Sequence, residues 1–164
     1  MLGLYMCARK HRIPGYNIIY NDIVDYEGID LCCDCLNINL EPYDFIIATP
    51  PCNYYSRANY RRQTSEVAQR TKHILPKLIE KLSQLNKPFI IENVCNSSLL
   101  PKSKLFEFEF GQHHFYTNVF MLIPHNSYAI RQNKQYISRN KRDGNYNVDL
   151  VIKYFLEAIH ENIN

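Results

Sequence analysis

The chain has 164 residues, of which 46% are hydrophobic and 21% charged, and its formal net charge is +3. This length supports one domain over residues 1–164 and is too short for two ordinary domains. No apolar run approaches the roughly 20 residues that cross a bilayer. A signal peptide is excluded because Arg9, Lys10 and Arg12 follow the apolar start instead of preceding it. We therefore expect a cytoplasmic protein whose six cysteines are free thiols.

Two segments in the first quarter of the chain predict short β-structure. Residues 16–20 are apolar and aromatic, which favours a strand that ends at Asn21 and Asp22. Residues 30–36 predict a short strand or turn that carries Asp34.

The segment around Cys52 is the most informative part of the sequence. Residues 45–49 predict a buried strand, because β-branched and aromatic side chains suit a covered sheet. Pro50 and Pro51 cannot donate ladder hydrogen bonds, so the strand ends there and Cys52 follows on a stiff loop. The alternative is a buried structural cysteine, which is the commoner role of a free thiol. The two prolines favour a candidate nucleophile at the ligand-binding edge of an α/β sheet.

The next segments predict a helix between two parallel strands. Residues 65–85 have an apolar stripe at helical spacing, with Ser65 as the N-cap and Pro76 expected to kink or divide the helix. Residues 89–91 predict a strand that ends at Glu92, Asn93 and Val94. A strand, a helix and a strand in this order indicate a parallel unit, and hence an α/β fold with a mostly parallel sheet.

The last third of the chain predicts two further elements. Residues 119–123 favour a late strand, and residues 148–163 favour a C-terminal helix with one apolar face. These elements complete a single α/β domain.

Cys52 and Glu92 each follow a buried strand of the predicted parallel sheet. The carboxyl ends of neighbouring parallel strands meet at one edge, so we expect the thiol and the carboxyl group to face one cleft. This pair suits covalent catalysis, in which a thiolate adds to an electrophilic carbon and the acid supplies a proton. Taken without Cys52, a glutamate such as Glu92 is more often a solvent-exposed residue at the end of a strand.

These motifs resemble those of the DNA cytosine-5 methyltransferases, especially the small phage-type members. The resemblance rests on Thr-Pro-Pro-Cys at residues 49–52 with Tyr-Ser after it, and on Glu-Asn-Val at residues 92–94. It implies a Rossmann-like fold that depends on S-adenosylmethionine, with matches spread over residues 16–160. The interval between the two motifs contains one predicted helix, as it does in the family.

The resemblance implies a mechanism on a cytosine base of DNA. Cys52 adds to C6, Glu92 contacts N3 and the amino group, and C5 then takes the methyl group from S-adenosylmethionine. Because a stacked base cannot be reached, the cytosine must be flipped out of the duplex. Asn93 is expected to brace the Pro-Pro-Cys loop, and Asp22 to bind the ribose of the cofactor.

The same resemblance implies roles for residues outside the catalytic pair. The remaining expected cofactor contacts are Asp34, Pro50 and Asn145. His113 and His114 stand where the family has an arginine pair that touches the target base. The full set of expected DNA and base contacts is Ser56, Arg57, Arg61, Arg62, Asn93, His113 and His114.

The N-terminal segment departs from the family pattern. The family opens with a strand and a glycine-rich turn, and this chain has no such turn before residue 16. The first strand is therefore expected to be missing, as in an N-terminally truncated fold with a gap in the sheet. The alternatives are a degenerate or truncated methyltransferase, one half of a split enzyme completed by a second chain, or residues 1–13 as a substitute cofactor wall.

Two basic segments favour DNA as the partner. Residues 53–64 combine arginines with tyrosines, which can neutralise phosphates and stack on unpaired bases. A second basic group lies within residues 131–142, in or near a short recognition insert at about residues 120–143. An isolated charge run is more often a solvated surface, but two such runs flank the expected base site.

The spacing of Cys32 and Cys35 would permit a metal or redox site. We expect no metal, because tetrahedral zinc needs four ligands and no second pair at zinc-finger spacing follows. Two alternatives to the methyltransferase remain. One is a catalytically silent DNA-binding or accessory protein, and the other is a thiol-dependent enzyme acting on free pyrimidine nucleotides.

Overall fold

The computed structural model describes residues 1–94, 98–121 and 146–161, apart from the side chains of residues 146 and 147. The described chain is an α/β structure with a seven-stranded mixed sheet. Three α-helices and a 3-10 helix at Cys35–Asn37 accompany it. The strands are β1 Gly3–Met6, β2 Ile18–Asp22, β3 Leu31–Cys32, β4 Phe45–Ala48, β5 Phe89–Val94, β6 Phe106–Phe110 and β7 His113–Thr117. The helices are α1 Glu66–Thr71, α2 Ile74–Ser83 and α3 Tyr146–Glu161.

The strand order is β3-β2-β1-β4-β5-β7-β6. The first five strands in this order are parallel to one another, whereas β7 is antiparallel to both β5 and β6. The predicted parallel pairing of β4 with β5 across the helical segment is confirmed. The order reverses between β1 and β4, and in open α/β sheets ligands bind outside the strand ends at such a point.

The expected absence of the first strand is wrong. Gly3–Met6 forms β1 at the centre of the sheet, paired with both β2 and β4, so the sheet has no gap there. All four residues are buried, which explains a continuous apolar run with no alternation. Gly3 is required by packing, because an added Cβ would lie 2.3 Å from the ring of Phe45.

Two apolar layers cover the two faces of the sheet. On one face, residues of α2 such as Leu75 and Leu78 pack on Leu4 and Ile46. On the other face, residues of α3 such as Phe155 pack on the opposite side of the same strands. Because successive side chains of a strand point to opposite faces, each central strand contributes side chains to both layers. The central strands therefore have no solvent-exposed face.

The long helix predicted over residues 65–85 is divided, as Pro76 led us to expect. The helices α1 and α2 are separated at Lys72 and His73, so that Pro76 lies in the first turn of α2. Proline is tolerated there because the first N–H groups of a helix have no intrahelical acceptor. Ser65 caps α1 as predicted, since its side chain accepts from the backbone N–H of Ala68.

The late strand predicted at residues 119–123 is wrong for its described part. Residues 119–121 are not in a strand, and residues 122 and 123 lie outside the described residues. The β6–β7 hairpin supplies the last two strands instead. Most of the predicted recognition insert and the second basic group also lie outside the described residues. None of the helices in the described ranges is long and apolar enough to cross a membrane.

Candidate active site

Cys52 lies four residues beyond the end of the buried strand β4, on a loop fixed by hydrogen bonds. Its carbonyl accepts from the backbone N–H groups of Tyr55 at 3.0 Å and Ser56 at 2.8 Å. The side chain of Asn93, at the end of β5, donates to the carbonyl of Pro50 at 3.1 Å. This last contact is the brace on the Pro-Pro-Cys loop that the resemblance implied. The thiol is half-buried, so it is held rigidly beside the end of β5.

The electrostatic environment of Cys52 joins it to Glu92. Burial raises the pKa of the Cys52 thiol above its ordinary value, and the negative charge of Glu92 raises it further. The backbone N–H of Cys52 and the charge of Arg9 act in the opposite direction. The predicted pair is therefore close enough to interact, and the thiol form predominates near neutral pH.

Glu92 has a direct partner that the sequence did not indicate. Its Oε1 lies 2.6 Å from Nδ1 of His113, and the two side chains are only 15% and 19% exposed. The contact arises from the antiparallel register of β5 and β7, in which Val94 lies opposite His113. A half-buried carboxyl group with a histidine partner is positioned to hold and to transfer a proton.

The two histidines predicted to share the target base are separated by the sheet. They are neighbours on β7, so their side chains point to opposite faces. His113 contacts Glu92, whereas the ring of His114 lies tilted at 4.7 Å from the ring of Tyr116 on the other face. His114 lies near Glu107 and Glu109 of β6 instead. In this geometry the two histidines therefore cannot contact the same base, as the arginine pair of the family is expected to do.

The basic loop after Cys52 presents only part of its predicted surface. Arg57 and Arg61 are exposed, and the guanidinium of Arg61 lies 5.4 Å from the ring of Tyr60. Arg62 is half-buried and donates to the carbonyls of Asn59 and Ser56, so it stabilises the loop. Ser56 is half-buried, and its Oγ accepts weakly from the N–H of Ala58. Tyr55 is 3% exposed and packs in the core, where it cannot stack on a base.

The acidic residues expected to bind a cofactor make local backbone contacts. Asp22 is 7% exposed, and its two oxygens accept from the N–H groups of Arg9 and Val24, each at 3.0 Å. Asp34 caps the 3-10 helix by accepting from the N–H of Leu36. Pro50 is buried and contacts Asn93, as described above. Asn145 lies outside the described residues.

The turn after β1 adopts a glycine-like backbone without glycine. Cys7 has φ of 58° and Arg9 has φ of 50°, a region that L-residues rarely occupy. The turn is held by the hydroxyl of Thr49, which donates to the carbonyl of Cys7 at 3.0 Å, and by Asp22. A strained turn therefore stands at the point where the strand order reverses.

A chain of polar side chains behind this turn was not predicted. The buried Tyr5 hydroxyl lies 2.7 Å from Nδ1 of His11, and Nε2 of His11 contacts the carboxylate of Asp149 on α3. Burial raises the pKa of Tyr5 well above its ordinary value. No sequence motif links these three residues, because the contact depends on the packing of α3 against the sheet.

Comparisons with known proteins supply no relative. No family model, no curated protein and no solved structure matches the chain. Within the described ranges, no group of three or more histidine, cysteine, aspartate or glutamate side chains is arranged to hold a metal ion. A function can therefore be inferred only from the geometry of the strand ends and from the motifs at residues 49–52 and 92–94.

Proposed function

We propose that the chain is a DNA cytosine-5 methyltransferase type of protein, in which Cys52 adds covalently to C6 of a flipped-out cytosine. The observation that carries the proposal is the hydrogen bond from Asn93 to Pro50, which holds the Pro-Pro-Cys loop after β4 against the carboxyl end of the neighbouring parallel strand β5, the strand that carries Glu92. The strand order supports a Rossmann-like methyltransferase fold, because its five parallel strands follow the doubly wound order. The proposal places the protein in the cytoplasm, where thiols stay reduced.

The base-side chemistry begins when the Cys52 thiol loses its proton, which passes through solvent to the Glu92 carboxylate. The sulfur lone pair forms a bond to C6, the electrons of the C5–C6 double bond shift through the ring, and N3 gains a proton. Glu92 is the group that transfers this proton, and its hydrogen bond to His113 fixes the orientation of the carboxyl group. The product is an adduct in which C5 is nucleophilic.

DNA is the partner in this proposal. Arg57 and Arg61 are exposed on the loop that follows Cys52, and Tyr60 is 82% exposed beside them. Arginines neutralise phosphates, and an exposed aromatic ring can fill or cover the space left by a flipped base. Binding should therefore weaken as the salt concentration rises.

S-adenosylmethionine is the methyl donor that this class of reaction requires. It would supply an electrophilic methyl group when bound. The residues expected to hold it fit it poorly, because Asp22 is buried and both of its oxygens already accept backbone N–H groups. The contacts of Thr49 and Asp22 also close the turn after β1. We therefore derive no step that involves the donor.

This poor fit favours a second candidate function. In it the chain retains the base pocket and is a catalytically silent or split methyltransferase that serves as a DNA-binding or accessory protein. The supporting observation is the turn at Cys7 and Arg9, where strained non-glycine residues replace a glycine-rich cofactor turn. A second chain that completes the cofactor site would restore the first candidate function.

Transfer of a radiolabelled methyl group from S-adenosylmethionine to DNA tests the first candidate. The first candidate requires transfer by the wild-type chain and predicts none by Cys52→Ala, with DNA binding by the variant nearly unchanged. Cys33→Ala is the matched control, since Cys33 is an exposed thiol outside this site. Transfer by Cys52→Ala would contradict the proposed nucleophile. No transfer by the wild-type chain, with salt-sensitive DNA binding, would favour the accessory protein.

A further inference from the structure

A cavity of about 400 Å³ lies on the face of the sheet opposite Glu92. Its volume falls in the range of small-molecule sites, roughly 300–1,000 Å³. Three apolar side chains from residues 100–105 form one wall, and His114 and Glu107 form the floor on β7 and β6. Its lining residues are Leu100, Pro101, Lys102, Ser103, Leu105, Glu107 and His114.

His114 is the unusual residue in this cavity. It is 8% exposed, yet neither ring nitrogen has a hydrogen-bond partner within the described part of the chain. Its Nε2 is 3.3 Å from Glu107 and its Nδ1 is 3.7 Å from Glu109, but neither contact has hydrogen-bond geometry. Because a buried polar atom without a partner costs free energy, a ligand that supplies partners would bind favourably here.

The surrounding contacts hold the polar groups in place. Oε1 of Glu107 accepts from the backbone N–H and the hydroxyl of Ser103, at 3.1 Å and 2.7 Å. Its Oε2 is the oxygen that faces His114. The hydroxyl of Tyr116 donates to the carbonyl of Pro101 at 3.1 Å, which ties the cavity wall to β7. The site is thus formed before any ligand binds.

The chemistry of the lining selects the kind of ligand. A carboxylate oxygen at the floor needs an N–H donor, and an imidazole beside it can donate to a ring nitrogen or carbonyl. Glu107 and Glu109 lie beside His114 and outnumber Lys102, the lysine of the lining, so an anion is disfavoured there. A flat ring suits the apolar wall. A nucleobase with an exocyclic amino group meets these requirements along one edge.

We propose that this cavity binds an amino-bearing nucleobase at a site separate from Cys52 and Glu92. The inference rests on the proposed function in taking that base to belong to the bound DNA, on the other face of the sheet from the target cytosine. The exocyclic amine donates to Glu107, and the neighbouring ring acceptor receives the N–H of His114. Leu100 and Leu105 contact the face of the ring.

Titration with free nucleosides tests the site without any catalysis. The probe is the imidazole Cε1–H resonance of His114, assigned from its loss in His114→Phe. We expect deoxycytidine and deoxyadenosine at millimolar concentration to shift it, and thymidine, which has no exocyclic amine, to leave it unchanged. Glu107→Gln should weaken the binding about tenfold or more, because a charged acceptor is lost.

Glu92→Gln separates this site from the proposed catalytic pocket. The shift of the His114 resonance should be retained in that variant, whether or not the protein transfers methyl groups. The proposal is overturned if no nucleoside shifts the resonance, if thymidine shifts it equally, or if Glu92→Gln abolishes the effect. A failure of methyl transfer alone leaves these outcomes unchanged, so the two proposals are tested independently.

Discussion

At the scale of single residues, Glu92 acts on Cys52 through its charge. This charge adds to burial in raising the pKa of the thiol, so its removal should increase the thiolate fraction near neutral pH. We expect Glu92→Gln to speed the alkylation of Cys52 by iodoacetamide about two- to fivefold. Peptide mapping by mass spectrometry measures the rate at Cys52 separately from the other cysteines.

Glu109→Gln is the control for this experiment, because Glu109 is exposed on β6 and does not contribute to the pKa of Cys52. Its alkylation rate at Cys52 should equal that of the wild type. In all three proteins the rate should rise with pH, since the thiolate is the reactive form. An unchanged or slower rate in Glu92→Gln would contradict the electrostatic link.

Asn93 is the residue that fixes the Pro-Pro-Cys loop to β5. It is fully buried and donates to the carbonyl of Pro50. Asn93→Ala leaves that carbonyl without its donor, so we expect the free energy of unfolding to fall by about 1–3 kcal/mol. Urea denaturation measures the loss. The exposed Asn53→Ala should change it by less than about 0.5 kcal/mol, and equal losses would argue against the brace.

The sequence predicted the positions of Cys52 and Glu92 because each follows a continuous apolar run, and such runs are typical of parallel strands. It did not predict the contact of Glu92 with His113. That contact depends on the register of β7 against β5, which no local pattern encodes. The partners of Asp22 were missed for a similar reason, because Arg9 reaches it through a strained turn.

At the scale of elements, the turn after β1 stores strain in Arg9. Glycine adopts a φ of 50° at little cost, whereas other residues lose roughly 1 kcal/mol there. We expect Arg9→Gly to raise the free energy of unfolding by about 0.5–1 kcal/mol, as measured by urea denaturation.

Lys10→Gly is the matched control, since Lys10 is exposed and adjacent but has no positive φ. It should lower the free energy of unfolding, because glycine adds entropy to the unfolded chain. Destabilisation by both substitutions would show that the turn carries no strain that glycine relieves. Such a result would also weaken the argument that strained non-glycine residues here replace a glycine-rich cofactor turn.

The elements themselves were predicted unevenly. The strands β2, β4 and β5 and the division of the helix near Pro76 follow from apolar runs and proline chemistry. β1 was missed because the glycine-rich turn that was expected to follow the first strand is absent. The hairpin of β6 and β7 was also missed, although Phe106–Phe110 alternates aromatic and acidic residues with the period of a strand.

At the scale of the whole molecule, buried tyrosines predict a loss of stability in alkali. Burial raises the pKa of Tyr55 to about 12, and it raises those of Tyr5 and Tyr116 further. Unfolded tyrosines ionise near pH 10, so the folded state retains protons that the unfolded state releases. Stability is therefore complete below about pH 10 and falls as the pH rises towards 12.

The urea midpoint measured at increasing pH tests this expectation. It should be flat up to about pH 9.5 and fall above it. Tyr55→Phe should make the fall shallower, because one of the groups with a raised pKa is gone. A midpoint that stays constant up to pH 12, or an equally steep fall in the variant, would contradict the assignment of the effect to this tyrosine.

The most direct test of the central claim is covalent trapping of the chain on DNA that contains 5-fluorocytosine, with and without S-adenosylmethionine. Once C5 has received the methyl group, the fluorine there cannot leave as a proton does, so Cys52 cannot be released and the adduct persists under denaturing conditions only when S-adenosylmethionine is present. We predict a denaturation-resistant complex with the wild-type chain and with Cys33→Ala, and none with Cys52→Ala. A wild-type chain that binds this DNA but forms no adduct when S-adenosylmethionine is present would contradict methyl transfer through Cys52 and favour the catalytically silent or split protein.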